Sequence, residues 1–215
     1  MLARPGAPTG EVAPGLHPLG IGSGRDGVLY VPGSYRAECP APLVLMLHGA
    51  GGHGGNALGI LRPLADAHGL VLVAPDSRAS TWDVIVNRYG PDVAFIDRAL
   101  AETFARVAVD PARLAVGGFS DGASYALSLG VMNGDLFTHV LAFSPGFLAA
   151  LSQSGAPRIY VSHGVHDRVL PIDPCSRKLV PMLQRAGYEV RYREFDGPHT
   201  VPPEVTREAV EWLTS

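Results

Sequence analysis

Apolar residues along this chain fall into short unbroken runs, separated by longer stretches with helical spacing. Leu43-Val44-Leu45-Met46-Leu47 lies between Pro42 and His48-Gly49, and Leu70 to Ala74 is a second run that ends at Pro75-Asp76. A short continuous run bounded by turn residues is the pattern of a strand buried on both faces, as in a parallel sheet. Arg113–Gly117, His139–Phe143 and Arg158–Ser162 repeat it, and Glu189–Phe195 alternates as a strand. Between them, Leu58, Leu61, Leu64, Ala65 and His68 keep the spacing of a helix over 56–68, stopped by Gly69. Further helices are predicted over 92–107, 123–132, 175–186 and 203–213. A Gly-rich segment from Leu19 ends in Val28-Leu29-Tyr30-Val31, which suggests a hairpin or a pair of edge strands.

Strands alternating with helices at this rhythm predict an α/β fold, a mostly parallel central sheet with helices on both faces. In such sheets the ligand lies outside the carboxyl ends of the strands. His48, Asp76, Ser120, Ser144, Asp167 and His199 each follow the end of a predicted strand. Residues 1–18, rich in Pro and Gly, read as a flexible lead-in, and 19–215 as one domain.

Composition narrows the class. With 215 residues, 47% apolar and 17% charged, the chain matches an ordinary globular protein. The net charge of −3 comes with no concentration of Lys or Arg, so a nucleic-acid surface is not expected. No stretch has the pattern of a secretory signal or the length of a membrane span. A cytoplasmic protein with two free thiols, Cys39 and Cys175, is the simplest expectation. Oligomeric state is left open, a homodimer included.

The strongest local signal is Gly118-Phe119-Ser120-Asp121-Gly122, straight after a strand and opening a helix. A serine at so sharp a strand-to-helix turn projects its hydroxyl into a site, and its flanking glycines avoid collisions. The following helix points its N-terminus at the site and favours negative charge there. A serine hydroxyl needs a base, and His199 follows the last strand in Gly197-Pro198-His199. The acid that orients the base is expected after the fifth buried run, where Asp167 is the choice. Asp173 and Asp196 are rivals, the first lying beyond the turn and the second close to His199 in sequence. His163, His166 and Asp167 could also be read as metal ligands, but they lack helical ligand spacing and a completing cluster. No metal is therefore expected.

An oxyanion on the reacting carbonyl needs two backbone donors. The N–H of Asp121 is one candidate, and the N–H of Ala50, in His48-Gly49-Ala50-Gly51-Gly52, is the other. The same glycines support a competing reading. Gly49-Ala50-Gly51-Gly52-His53-Gly54 fits a dinucleotide-binding turn, with Asp76 at the distance of a ribose ligand. A Rossmann-like oxidoreductase would leave Ser120, Asp167 and His199 without a role. A third reading is a binding protein that does no chemistry.

Taken with His163-Gly164-x-x-Asp167-x-Val169-x-Pro171 and Pro198-His199, these motifs resemble the α/β-hydrolase superfamily from about Leu19 to Ser215. Within it the chain is similar to small carboxylesterase/phospholipase and polyhydroxybutyrate-depolymerase-like or feruloyl-esterase-like serine esterases. The resemblance implies hydrolysis of a small-molecule ester through an acyl-enzyme, with no cofactor. It carries the triad to Ser120, Asp167 and His199, and the oxyanion donors to Ala50 and Asp121. Asp121 departs from the pattern, since Gln or a small residue is common there; its carboxylate is expected to disfavour anionic substrates. Only Ser144 to Pro157 separates two strands where many members insert a cap. No cap domain is expected, the site should be open and shallow, and short acyl groups should be preferred. Trp82 in the polar excursion 77–91, Phe147, Val169 and Leu170 are the expected walls, although Trp82 could equally pack against the sheet.

Overall fold

A computed structural model describes residues 1–86 and 88–215; Asn87, inside the 77–91 excursion, lies outside the described residues. Eight strands form one sheet: β1 (Gly15–Pro18), β2 (Gly27–Val31), β3 (Ala41–Leu47), β4 (Val71–Pro75), β5 (Val109–Phe119), β6 (His139–Phe143), β7 (Arg158–Gly164) and β8 (Val190–Phe195). The helices are α1 (Gly54–Ala65), α2 (Asp83–Val86), α3 (Pro91–Arg106), α4 (Asp121–Met132), α5 (Ser176–Arg185) and α6 (Pro203–Thr214). The strand order is β1-β2-β4-β3-β5-β6-β7-β8. From β4 to β8 every pairing is parallel, while β1–β2 and β2–β4 are antiparallel.

The continuous runs have the burial they predict. Every residue of β3, β4 and β6 is buried, because helices cover both faces. At the edge, β8 alternates half-buried and exposed residues up to Phe195. One core layer joins Leu43, Leu45 and Val116 to Ile96, Leu100 and Leu127, and the other joins Val44, Met46 and Tyr160 to Leu58, Leu61 and Val210. Each fully buried aliphatic side chain contributes roughly 1.5–3 kcal/mol.

The beginning of the chain departs from the expected flexible lead-in. Residues 15–18 form β1, paired with Val28–Val31, and so supply the first arm of the hairpin. Ahead of it, the N–H groups of Leu2 and Ala3 donate to Asp97 on α3, and those of Thr9 and Gly10 donate to Ala105 O. Pro and Gly lower helix and strand propensity, but they do not prevent backbone groups from pairing with a neighbouring helix.

Candidate active site

Ser120 sits between β5 and α4 with φ +59°, a conformation that L side chains rarely adopt. Such strain costs about 1–3 kcal/mol and survives only where the surroundings impose it. Here two glycines impose it. A Cβ at Gly122 would lie 2.2 Å from Leu47 O, and one at Gly118 would lie 2.4 Å from Gly122 C. Only hydrogen fits, so the turn closes against β3 and lifts the Ser120 hydroxyl to the sheet rim. The Ser120 N–H donates to Phe143 O at 3.0 Å and pins the elbow to β6.

His199 arrives on the loop after β8. That loop comes close because position 164 is glycine: a Cβ there would lie 2.4 Å from both Gly197 O and Pro198 O. His199 Nε2 is 2.9 Å from Ser120 Oγ, and His199 Nδ1 is 2.5 Å from Asp167 Oδ2. With a carboxylate at Nδ1, that nitrogen carries the proton, so Nε2 accepts from the serine hydroxyl. Phe119 stacks against the His199 ring at 4.6 Å between centroids. Asp167 Oδ1 accepts from the N–H groups of Val169 and Leu170 at 2.9 and 2.8 Å. Burial pushes the Asp167 carboxyl up, but His199 and these two amides outweigh it and hold the pKa below the ordinary carboxylate value. The rivals are committed elsewhere: Asp173 pairs with Arg177, and Asp196 pairs with His166 on the surface. Among the described residues no three His, Cys, Asp or Glu side chains gather as metal ligands.

On the other side of Ser120, the loop after β3 brings Gly49 close; a Cβ there would lie 3.4 Å from Ser120 Cβ. Ala50 follows it, exposed at the rim. Asp121 is the first residue of α4, so its N–H has no acceptor inside the helix. Its carboxylate turns aside to accept from Thr81 Oγ1 at 2.7 Å. His48 sets the shape of the loop from behind. Its Nε2 accepts from Ser77 N–H at 3.0 Å, so Nδ1 carries the proton and donates to Gly49 O at 2.7 Å. Burial lowers its pKa and keeps the ring neutral.

The expectation that Trp82 forms a wall of the site is corrected. Its side chain is fully buried, stacks on Tyr125 at 5.2 Å, and donates from Nε1 to His48 O at 2.8 Å. The excursion turns inward because Asp83 and Asp92 satisfy its backbone: Asp83 accepts from the N–H groups of Gly90 and Asp92, and Asp92 accepts from those of Arg78 and Asp83. The other three expected wall residues are at least partly exposed. Val169 is 67% exposed, and Phe147 and Leu170 are half-buried. Gly146 lies against Leu170, its Cβ position 3.2 Å from Cδ2, so the two segments meet beside the site. The 144–157 segment contains no helix and is tied down to α4, with Gly146 and Ala149 N–H groups donating to Ser124 and Ser128. It forms no cap.

The dinucleotide reading fails on Asp76. Its carboxylate accepts from Gly54 N–H at 2.6 Å and from Asp26 N–H at 3.1 Å, so both oxygens brace the start of α1 and the turn before β2. Gly54 itself serves close packing, since a Cβ would lie 2.0 Å from Ala74 O. Residues that the sequence reading left outside the catalytic set also build the site: Thr81 behind Asp121, and His163, read there only as a possible metal ligand, with Ser176 behind Asp167. Thr81 carries no local signal, whereas His163 stood inside a motif whose other members were assigned. Cys39 is exposed and Cys175 buried, both as free thiols. No helix among the described residues is long and apolar enough to cross a membrane.

No protein-family model matches the chain. It is 30% identical over 170 residues to a probable feruloyl esterase C of Aspergillus niger, covering 75% of this chain and 61% of that protein. It is 31% identical over 159 residues to feruloyl esterase C of Emericella nidulans, covering 70% and 58%. The chain thus spans about six-tenths of the length of these curated relatives. Among solved structures, an S-formylglutathione hydrolase of Staphylococcus aureus superposes with a TM-score of 0.76 at 14% identity, covering 96% of this chain and 99% of that one. Esterase PE8 superposes with a TM-score of 0.71 at 23% identity, covering 87% and 96%. A ferulic acid esterase of Anaeromyces mucronatus gives 0.68 at 19% identity, covering 89% and 84%. Sheet order, elbow and neighbours agree: this chain has the α/β-hydrolase fold, without a cap, and is similar in sequence to fungal feruloyl esterases.

Proposed function

We propose that the chain is a serine hydrolase that cleaves carboxylic esters, with a preference for short acyl groups, through an acyl-enzyme on Ser120. The observation that carries this reading is the unbroken line from Ser120 Oγ to His199 Nε2 at 2.9 Å and from His199 Nδ1 to Asp167 Oδ2 at 2.5 Å. In the reaction, Ser120 Oγ attacks the ester carbonyl as His199 Nε2 takes its proton. Asp167 keeps the ring in the right tautomer and stabilises the imidazolium. The N–H groups of Ala50 and Asp121 receive the developing oxyanion. His199 then gives its proton to the departing alcohol, and water repeats the sequence to release the acid. The absence of a cap over the rim, with Val169 67% exposed, supports the short-acyl preference.

Labelling with a fluorophosphonate probe, together with turnover of p-nitrophenyl acetate, butyrate and palmitate, tests the proposal. Wild type should label and should prefer butyrate to palmitate. Ser120→Ala should lose the label and at least about 10⁴-fold in kcat. A Ser120→Ala variant that keeps its activity ends the proposal, and a preference for palmitate ends its acyl-chain part. The similarity to feruloyl esterases favours a second reading of the acyl group, a hydroxycinnamate lying along Phe147 and Leu170. Methyl ferulate should then exceed p-nitrophenyl butyrate in kcat/KM, and no turnover of methyl ferulate discards this reading.

A further inference from the structure

Behind the acid lies a buried histidine that the reaction sequence does not use. His163, next to last in β7, is fully enclosed, and so is the side chain of Asp167. Its Nε2 lies 2.7 Å from Leu170 O and 3.2 Å from Asp167 Oδ2, the same oxygen that meets His199. Its Nδ1 lies 2.7 Å from the Oγ of Ser176, itself fully buried at the start of α5. Two acceptors facing Nε2 require the proton there, so Nδ1 accepts from the Ser176 hydroxyl. One carboxylate oxygen thus lies between two imidazoles, hydrogen-bonded to His199 and in 3.2 Å contact with His163 Nε2, while the other is held by the amides of Val169 and Leu170.

We infer that His163, oriented by Ser176, is a positioning residue that fixes the Asp167 carboxylate in the rotamer that serves His199; this rests on the serine-hydrolase reading above. Without His163, only the His199 ring lies against Oδ2, and the carboxylate is free to turn about the Oδ1 amides. The Nε2–H bond to Leu170 O fixes the plane of the ring beside Oδ2. Burial lowers the His163 pKa, so the ring stays neutral and sets no second cation beside the His199 imidazolium. The residue works through Asp167 and touches neither substrate nor Ser120. Its contribution therefore belongs to kcat rather than to KM. A mere loop brace would move both, because Val169 and Leu170 on the same loop face the rim.

The test compares His163→Leu, which removes the donor, with His163→Gln, whose amide places an N–H near the position of Nε2. Fluorophosphonate labelling rate, kcat and KM are measured alongside Tm. For His163→Leu, labelling rate and kcat should fall about 10- to 100-fold, as they do when a supporting hydrogen bond is lost behind a working ligand. KM should hold, and His163→Gln should recover most of the rate. A folded leucine variant that labels at the wild-type rate overturns the inference, as does a glutamine variant no better than leucine. If the leucine variant does not fold, Ser176→Ala decides: a several-fold fall in kcat at constant KM and Tm supports the inference, and an unchanged kcat overturns it. Failure of wild type itself to label at Ser120 would instead strike the serine-hydrolase reading, and this inference with it.

Discussion

The two walls that flank Ser120 each hold a histidine, and they use it in opposite ways. On the β7–β8 side, both ring nitrogens of His199 face side chains, the Ser120 hydroxyl and the Asp167 carboxylate. On the β3–β4 side, both ring nitrogens of His48 are spent on backbone, Ser77 N–H and Gly49 O. The first wall presents titratable groups to Ser120. The second presents bare amides and hides its side chains behind them. Chemistry by side chains is written in residue types, whereas chemistry by backbone is written in whatever holds the loop.

The largest test of this contrast is Asp167→Asn. An amide cannot stabilise the imidazolium and favours the wrong tautomer, so kcat/KM for p-nitrophenyl butyrate should fall on the order of 10⁴-fold in the folded variant. A loss below about tenfold would mean that the first wall does not work through its side chains. Next comes Trp82→Phe on the second wall, which leaves the buried carbonyl of His48 without its donor. Thermal unfolding should show a loss of about 1–3 kcal/mol, with little change in KM. A large rise in KM at constant stability would return Trp82 to the substrate surface. Smaller again is Thr81→Val, which releases the Asp121 carboxylate toward the oxyanion position. It should cost kcat about 1 kcal/mol or less, roughly fivefold at most, and no change at all would leave that hydrogen bond without a role.

A further effect concerns pH and touches both walls at once. His48 and His163 are buried, and burial lowers both pKa values below 6.5. In that situation the unfolded chain binds protons first as pH falls, so stability is complete above the unfolded value and declines below it. His139, pushed down to about 4 by burial and by Arg158, extends the same decline. Asp167 acts in the same direction at lower pH, stabilising above the ordinary carboxylate pKa and losing that contribution as pH falls through its lowered value. Tm should therefore drop steadily from about pH 6.5 toward pH 4. A flat Tm between pH 7 and 5 would show that these rings take up protons without penalty.

What could be read in advance follows the same division. Ser120, Asp167 and His199 each follow a strand run with a glycine close by, so periodicity and turn chemistry located them together. For Trp82 the sequence left wall and packing equally open, because an aromatic in a polar stretch fits either. Its burial depends on His48, Tyr125, Asp83 and Asp92, none of which marks the excursion locally. Gly15–Pro18 shows no alternation that would announce β1, which exists because β2 offers it a partner. Ser176 opens a helix and is indistinguishable from an ordinary cap until His163 is seen beside it.

The elbow also sets where this chain is able to diverge. With Leu47 O 2.2 Å from any Cβ at position 122 and the Gly122 backbone 2.4 Å from one at 118, both places are closed to substitution by geometry alone. The residues between them stay open: Phe119 leans on the His199 ring, and Asp121 reaches to Thr81. Divergence can thus alter the neighbours of Ser120, but not the hinge that carries it.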